Sequence, residues 1–337
     1  MLRALGLCFA LLITALAAPA GAVERPLTVL ISIDGFRPDY LDRGVTPVLS
    51  ALAAGGVRGV MRPSFPTKTF PNHYTLVTGL RPDRHGIVEN NIEDPAIPGV
   101  TFKMSNHDAV VDRRWWDQGE PIWVTAERAG IVTATMFWPG SEAPIRGIYP
   151  RHWLAFDQKL PSEARVDQVL RWLDLPPANR PAFVTLYFDA VDTAGHRGGP
   201  DSAEVNAAAA AVDAALGRLV AGLQARGLVA NLVIVADHGM AQLSDERMIY
   251  MDDLLPKDAY RSLTGGAFMT IYPAQGRKAQ VLKALRGPHP HLRCWEKAKI
   301  PARFHYGKNP RVAPILCLPD TGWRLTTRDF KPSEPER

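Results

Sequence analysis

Four short apolar runs mark the first two-thirds of the chain, at residues 27–33, 132–138, 182–188 and 232–236. Each is nearly continuous in aliphatic, β-branched or aromatic residues, as expected of strands buried on both faces. Helical patterns separate them. The clearest spans 202–226, where Val205, Val212, Leu216, Leu219 and Leu223 recur at helical spacing beside an alanine-rich face. Buried strands alternating with helices predict an α/β fold with a mostly parallel central sheet and helices on both faces. Beyond Tyr250 the periodicity weakens, although 267–272 reads as a strand and 278–285 as a helix. The pattern therefore predicts a core over 23–250, a smaller inserted α+β subdomain over 251–327 and a disordered tail over 328–337.

The chain opens on Met-Leu-Arg, an apolar run over 4–18 and the small residues Ala20 and Ala22. This is the pattern of a secretory signal peptide over 1–22, which predicts a periplasmic or extracellular protein. Cys8 would leave with the leader. Cys294 and Cys317 remain, and in an oxidising compartment they could form a disulfide or stay separate buried thiols. No second apolar stretch reads as long enough to cross a bilayer, so no membrane anchor is expected. A hydrophobic fraction of 46% with 22% charged residues excludes intrinsic disorder. The 39 basic residues exceed the 34 acidic ones by only five, and no Lys/Arg run breaks the mixture. That excludes a stable nucleic-acid complex and leaves a small-molecule partner, with the oligomeric state unassigned.

Candidate chemistry lies where three predicted strands end. Ile33 runs into Asp34-Gly35, Phe188 into Asp189-Ala-Val-Asp192, and Ala236 into Asp237-His238-Gly239. In open parallel sheets the ligand crevice lies beyond the carboxyl ends of the strands, so these segments should converge. Taken singly, each has a plainer reading as a helix cap or a hydrogen-bonded structural histidine. Together, Asp34, Asp192, His196, Asp237 and His238 form a donor set suited to two divalent ions of the zinc type. Thr69 supplies a hydroxyl just before Phe70-Pro71, where a helix is expected to begin shortly after the proline. A hydroxyl near a helix start and a metal can ionise near neutral pH; the alternative is an ordinary turn threonine.

Longer blocks sharpen the reading. The segments at 31–37 (Ile-Ser-Ile-Asp-Gly-Phe-Arg), 66–74 (Pro-Thr-Lys-Thr-Phe-Pro-Asn-His-Tyr), 77–90, 119–126, 137–142 and 236–240 resemble the nucleotide pyrophosphatase/phosphodiesterase family of the alkaline phosphatase superfamily. The resemblance runs in order from about Leu27 to about Thr327. It implies that Asp34, Asp237 and His238, with Thr69, hold one zinc, while Asp192 and His196 hold a second. It also implies that Thr69 attacks phosphorus to form a covalent nucleotidyl-threonine, whose hydrolysis releases a nucleoside 5′-monophosphate. Asn90 would donate to a phosphate oxygen, and Phe70 and Phe156 would sandwich a base or similar planar group. The motif blocks show no arginine placed for a doubly charged monoester, which favours diesters and phosphoanhydrides.

One departure stands out. The family completes the second metal site with a further histidine beyond the part resembling 322–327, and this chain reaches Arg337 without it. The sequence thus reads as a C-terminally truncated family member, for which His305 is a weak substitute ligand. Two alternatives stay open: a phosphocholine or glycerophosphodiester phosphodiesterase, in which the aromatic residues bind a quaternary ammonium, and an inactive truncated remnant.

Overall fold

The computed structural model describes residues 26–329. The predicted leader and the tail from residue 330 onward lie outside the described residues. In chain order the elements that build the core are β1 (Leu27–Ile33), α1 (Pro47–Gly55), α2 (Thr69–Thr78), β2 (Thr133–Met136), β3 (His152–Trp153), α3 (Ser162–Leu173), β4 (Phe183–Phe188), α4 (Ala190–Gly198), α5 (Ala203–Ala225) and β5 (Ala230–Val235). The strands form one parallel sheet in the order β3-β2-β4-β1-β5.

Side-chain alternation along β1 shows how the sheet separates two cores. Leu27, Val29, Ile31 and Ile33 enter one cluster with residues of α3 and α5, including Val166, Val169, Val212, Leu216 and Leu219. Leu30, on the opposite face, packs with an aromatic cluster around Tyr74, Trp116, Trp123 and Trp138. The fold is α/β, as the apolar pattern predicts.

Several boundaries shift for local reasons. β2 stops at Met136 rather than 138, because Phe137 takes a φ of +60° and leaves the extended region. α5 starts behind Ser202, whose hydroxyl accepts from the Val205 amide at 3.2 Å as an N-cap. Contrary to the sequence reading, α5 is long and apolar enough to span a bilayer by length and composition. Here its Val205, Val212, Leu216, Leu219 and Leu223 are buried against the sheet, and Arg218 pairs with Asp167 of α3.

The later chain adds β6 (Tyr260–Arg261), β7 (Met269–Pro273), α6 (Lys278–Leu285), β8 (Leu292–Glu296) and β9 (Ile315–Pro319). These strands form a second, antiparallel sheet in the order β8-β9-β7-β6. Cys294 and Cys317 sit directly opposite each other on β8 and β9 and are joined as a disulfide. This sheet has its own small core around Met251, Ile271, Val281 and Ile315. Phe268, Ile300, Tyr306, Val312 and Leu316 also carry it into the aromatic cluster of the first layer. Arg328 and Asp329, placed by the sequence in a disordered tail, make ion pairs with Asp253 and Lys257.

Candidate metal centre

At the carboxyl end of β1 the chain turns through Gly35 at a φ of +67°, a conformation costly for any residue with a side chain. A Cβ at Gly35 would lie 3.0 Å from Asp192 Oδ1. Glycine therefore lets the end of β1 approach Asp192 in the first turn of α4. The Gly35 amide also donates to Asp237 Oδ1 at 3.2 Å, joining the ends of β1 and β5. Tyr187, on β4, donates its hydroxyl to Asp34 Oδ2 at 2.7 Å.

These contacts leave the remaining lone pairs facing one another. His238 Nε2 lies 3.1 Å from Asp237 Oδ2, 3.4 Å from Asp34 Oδ1 and 3.4 Å from Thr69 Oγ1. Its Nδ1 is 2.9 Å from the Gly239 carbonyl, which assigns the proton to Nδ1 and leaves Nε2 with a free lone pair. Asp34, Asp192 and His238 each offer a ligand atom within 4.8 Å of the others. Asp34 Oδ1, Asp192 Oδ1 and Asp237 Oδ2 are buried with no hydrogen-bond partner among the described residues. Buried carboxylate oxygens without donors are stabilised by protons or by a cation. The donor set, oxygen and imidazole nitrogen from rigid element ends, fits a divalent metal.

The electrostatics agree. Burial and the charges of Asp237 and Asp192 push Asp34 well above the usual carboxylate range. Burial, with a further contribution from Asp192, pushes Asp237 up to about 7. Asp192 behaves differently. Burial opposes its ionisation, but the hydrogen bond and charge of His196, 3.3 Å away and four residues later on α4, hold its pKa below the ordinary value.

His73 also gathers with Asp34 and Asp237, but both of its nitrogens are engaged. Nδ1 contacts the Thr69 carbonyl at 2.9 Å and Nε2 contacts Ser32 Oγ at 2.8 Å. Burial pushes its pKa down to about 3, so the ring is neutral. It holds the first turn of α2 against β1.

That turn begins earlier than the sequence predicts. α2 starts at Thr69, with Phe70 helical and Pro71 at the third position, where a missing N–H breaks no helical bond. Lys68 provides no side-chain cap. Instead Asn90 Oδ1 accepts from the Phe70 amide at 3.0 Å and caps the helix from a separate loop. Asn72 ties the preceding loop to α2, with its Oδ1 accepting from the Ser64 amide at 2.8 Å and its Nδ2 donating to the Pro66 carbonyl at 2.9 Å.

The structure thus gathers Asp34, Thr69, Asp192, Asp237 and His238, with His196 beside Asp192 and Asn90 at the start of α2. The two aromatic candidates differ. Phe70 is only 9% exposed and packs on Phe102 and Trp116, leaving little surface for a ligand. Phe156 is 45% exposed and rests on Phe137 and Tyr187, the tyrosine that binds Asp34. His305 belongs to neither ligand group among the described residues. Ser32, His73 and Tyr187 were missed by sequence reasoning, because in an apolar strand or a helix such residues read as core.

Carboxylates and imidazoles gathered beyond the carboxyl ends of a parallel sheet, with a threonine at a helix start, define an α/β protein with a metal-binding centre. The chain belongs to the type I phosphodiesterase / nucleotide pyrophosphatase family, whose profile matches residues 28–336. It is 40% identical over 322 residues to an uncharacterised pyrophosphatase/phosphodiesterase of Schizosaccharomyces pombe, a match covering 90% of this chain and 65% of the relative. It is 39% identical over 330 residues to venom phosphodiesterase 2 of Crotalus adamanteus, covering 93% of this chain and 40% of that protein. The chain therefore spans about two-thirds of the yeast relative and two-fifths of the venom relative. Among solved structures, murine ectonucleotide pyrophosphatase/phosphodiesterase 5 superposes with a TM-score of 0.86 at 35% identity, over 91% of this chain and 82% of that one. The same mouse protein is also known as an inactive threonine-to-alanine variant in complex with AMP, again with a TM-score of 0.86.

Proposed function

We propose that this chain is a two-zinc phosphodiesterase that hydrolyses nucleotide phosphodiester or phosphoanhydride bonds and releases a nucleoside 5′-monophosphate. One observation carries the reading: carboxylate oxygens of Asp34, Asp192 and Asp237, buried and without a hydrogen-bond partner among the described residues, gather around His238, whose Nε2 also lies 3.4 Å from the Thr69 hydroxyl at a helix start. Asp34, Asp237, His238 and Thr69 would hold one ion, and Asp192 with His196 the other. Bound there, such ions supply Lewis-acid stabilisation of developing negative charge and lower the pKa of a nearby hydroxyl.

Thr69 Oγ1 is the nucleophile. Its bond to phosphorus forms as the bond to the leaving oxygen breaks, giving a nucleotidyl-threonine; water then cleaves that ester and regenerates the hydroxyl. Asn90 keeps its Oδ1 on the Phe70 amide, so its Nδ2 is the group left to donate to a non-bridging phosphate oxygen. Phe156 offers the planar surface for the base. The AMP complex of the mouse relative supports the nucleotide reading over the phosphocholine one. The core over 23–250 carries this chemistry, with 251–327 as a smaller subdomain. The predicted leader, together with relatives named for venom, supports a periplasmic or extracellular location.

The test compares turnover of the nitrophenyl ester of thymidine monophosphate with that of nitrophenyl phosphocholine by the zinc-loaded chain. The thymidine ester should be strongly preferred. Preference for the choline ester would transfer the assignment to lipid-type diesters.

A further inference from the structure

The loop that carries Asn90 is fastened to the second sheet, away from the metal centre. Thr264 donates its hydroxyl to Glu89 Oε2 at 2.5 Å, and the Asn91 amide donates to the same oxygen at 2.7 Å. Both Glu89 and Thr264 are buried, and Glu89 Oε1 has no hydrogen-bond partner among the described residues. One residue earlier, the Val88 carbonyl accepts from the Tyr306 hydroxyl at 3.0 Å. The opposite flank of the site rests on the same layer. Phe65, four residues before Thr69, packs on Phe268, Phe304 and Tyr306 at centroid distances of 6.0, 4.7 and 5.2 Å.

We infer that the second sheet and its loops act as a clamp setting the position of Asn90 relative to Thr69, with the Thr264–Glu89 hydrogen bond as its tie and both residues in a positioning role. The inference rests on the phosphodiesterase reading for its catalytic consequence. Its structural content does not, because the clamped quantity is the Asn90–Phe70 hydrogen bond that caps α2. Glu89 has two hydrogen-bond donors on one oxygen and none on the other. Removing the Thr264 hydroxyl therefore strips half of its support in a site water cannot easily replace. The peptide that presents Asn90 is then released from one of its two fastenings to the second layer.

Thr264→Val removes the hydroxyl with little change of shape, and Thr264→Ser keeps it. With the zinc-loaded full chain and the nitrophenyl ester of thymidine monophosphate, Thr264→Val should lower kcat roughly ten-fold or more, since small misplacements of a catalytic donor are costly. KM and zinc content should hold, and Thr264→Ser should restore the rate. In an Asn90→Ala background, Thr264→Val should cost nothing further, because its effect passes through Asn90. Independently of turnover, amide exchange at Phe70 should become roughly ten-fold faster in Thr264→Val, as an amide freed from its acceptor loses protection. Losses that add in the double variant, or a Phe70 amide that exchanges at the wild-type rate, would overturn the clamp. A wild-type chain without turnover would sink the phosphodiesterase reading instead, and the Phe70 exchange rate would still decide the clamp.

Discussion

Stripping metal from the centre should expose a stability cost carried by Asp237 that grows with pH. In the metal-free chain Asp237 is buried beside other carboxylates and titrates at about 7, against 3.8 for an ordinary aspartate. A carboxyl whose pKa is higher in the folded chain binds its proton more tightly there. Its contribution to stability is therefore largest below pH 3.8 and is lost as the pH climbs to about 7. About two of these roughly three units lie above pH 5, so Asp237 alone should cost the metal-free chain ~3 kcal/mol between pH 5 and 7.5. Asp34, also shifted upward, adds to the slope in the same direction. His73 and His85, buried and held neutral with pKa values of about 3, contribute the opposite slope, because between pH 5 and 6.5 only the unfolded chain protonates them, so the Asp237 cost is read against a variant that lacks it. Urea unfolding of chelator-treated wild type and Asp237→Asn at the two pH values isolates the contribution: between pH 5 and 7.5 the wild type should lose ~3 kcal/mol relative to the variant. Zinc should stabilise the wild-type chain more at pH 7.5 than at pH 5, because protons and metal compete for the same oxygens. An equal pH dependence in wild type and Asp237→Asn would refute the argument.

Three further substitutions have defined outcomes. Gly35→Ala forces an alanine to a φ of +67° with its Cβ 3.0 Å from Asp192 Oδ1. It should destabilise the chain by at least ~1–2 kcal/mol in urea unfolding and weaken zinc retention on dialysis. Tyr187→Phe deletes the donor to Asp34 Oδ2 and should weaken zinc binding about 10–100-fold by competition with a chelator, as expected when an outer partner of a ligand is lost. Asp213 of α5 is buried and accepts from the Val48 and Leu49 amides at the start of α1, at 2.9 and 2.7 Å. Asp213→Ala should cost about 1–2 kcal/mol of stability while leaving kcat unchanged at temperatures where the chain stays folded.

How far the sequence discloses this protein follows from what each residue depends on. The strands of the first sheet are legible because both faces are covered, so the apolar runs stand out. Very short elements, such as His152–Trp153 or the pair Met248–Tyr250 and Arg324–Thr326, leave no such pattern, since two or three residues carry no period. The candidate metal ligands are legible because strand ends converge by topology. The start of α2 is not: Pro71 reads as a break, whereas the first turn tolerates it and the missing cap comes from Asn90, twenty residues away. Glu89, Thr264 and Tyr187 stay hidden for the same reason, as their hydroxyls and carboxylates acquire meaning only from partners on other elements. The cross-strand placement of Cys294 and Cys317 resolves a choice that residue counting leaves open.

The central claim is that Thr69 performs the attack within a centre built by other residues. The most direct measurement is turnover of the nitrophenyl ester of thymidine monophosphate by Thr69→Ala and wild type, with zinc counted by elemental analysis in the same samples. The account predicts that zinc is largely retained, because Asp34, Asp192, His196, Asp237 and His238 remain, while the rate falls on the order of a thousand-fold or more. A Thr69→Ala chain that keeps its zinc and turns over near the wild-type rate would contradict it.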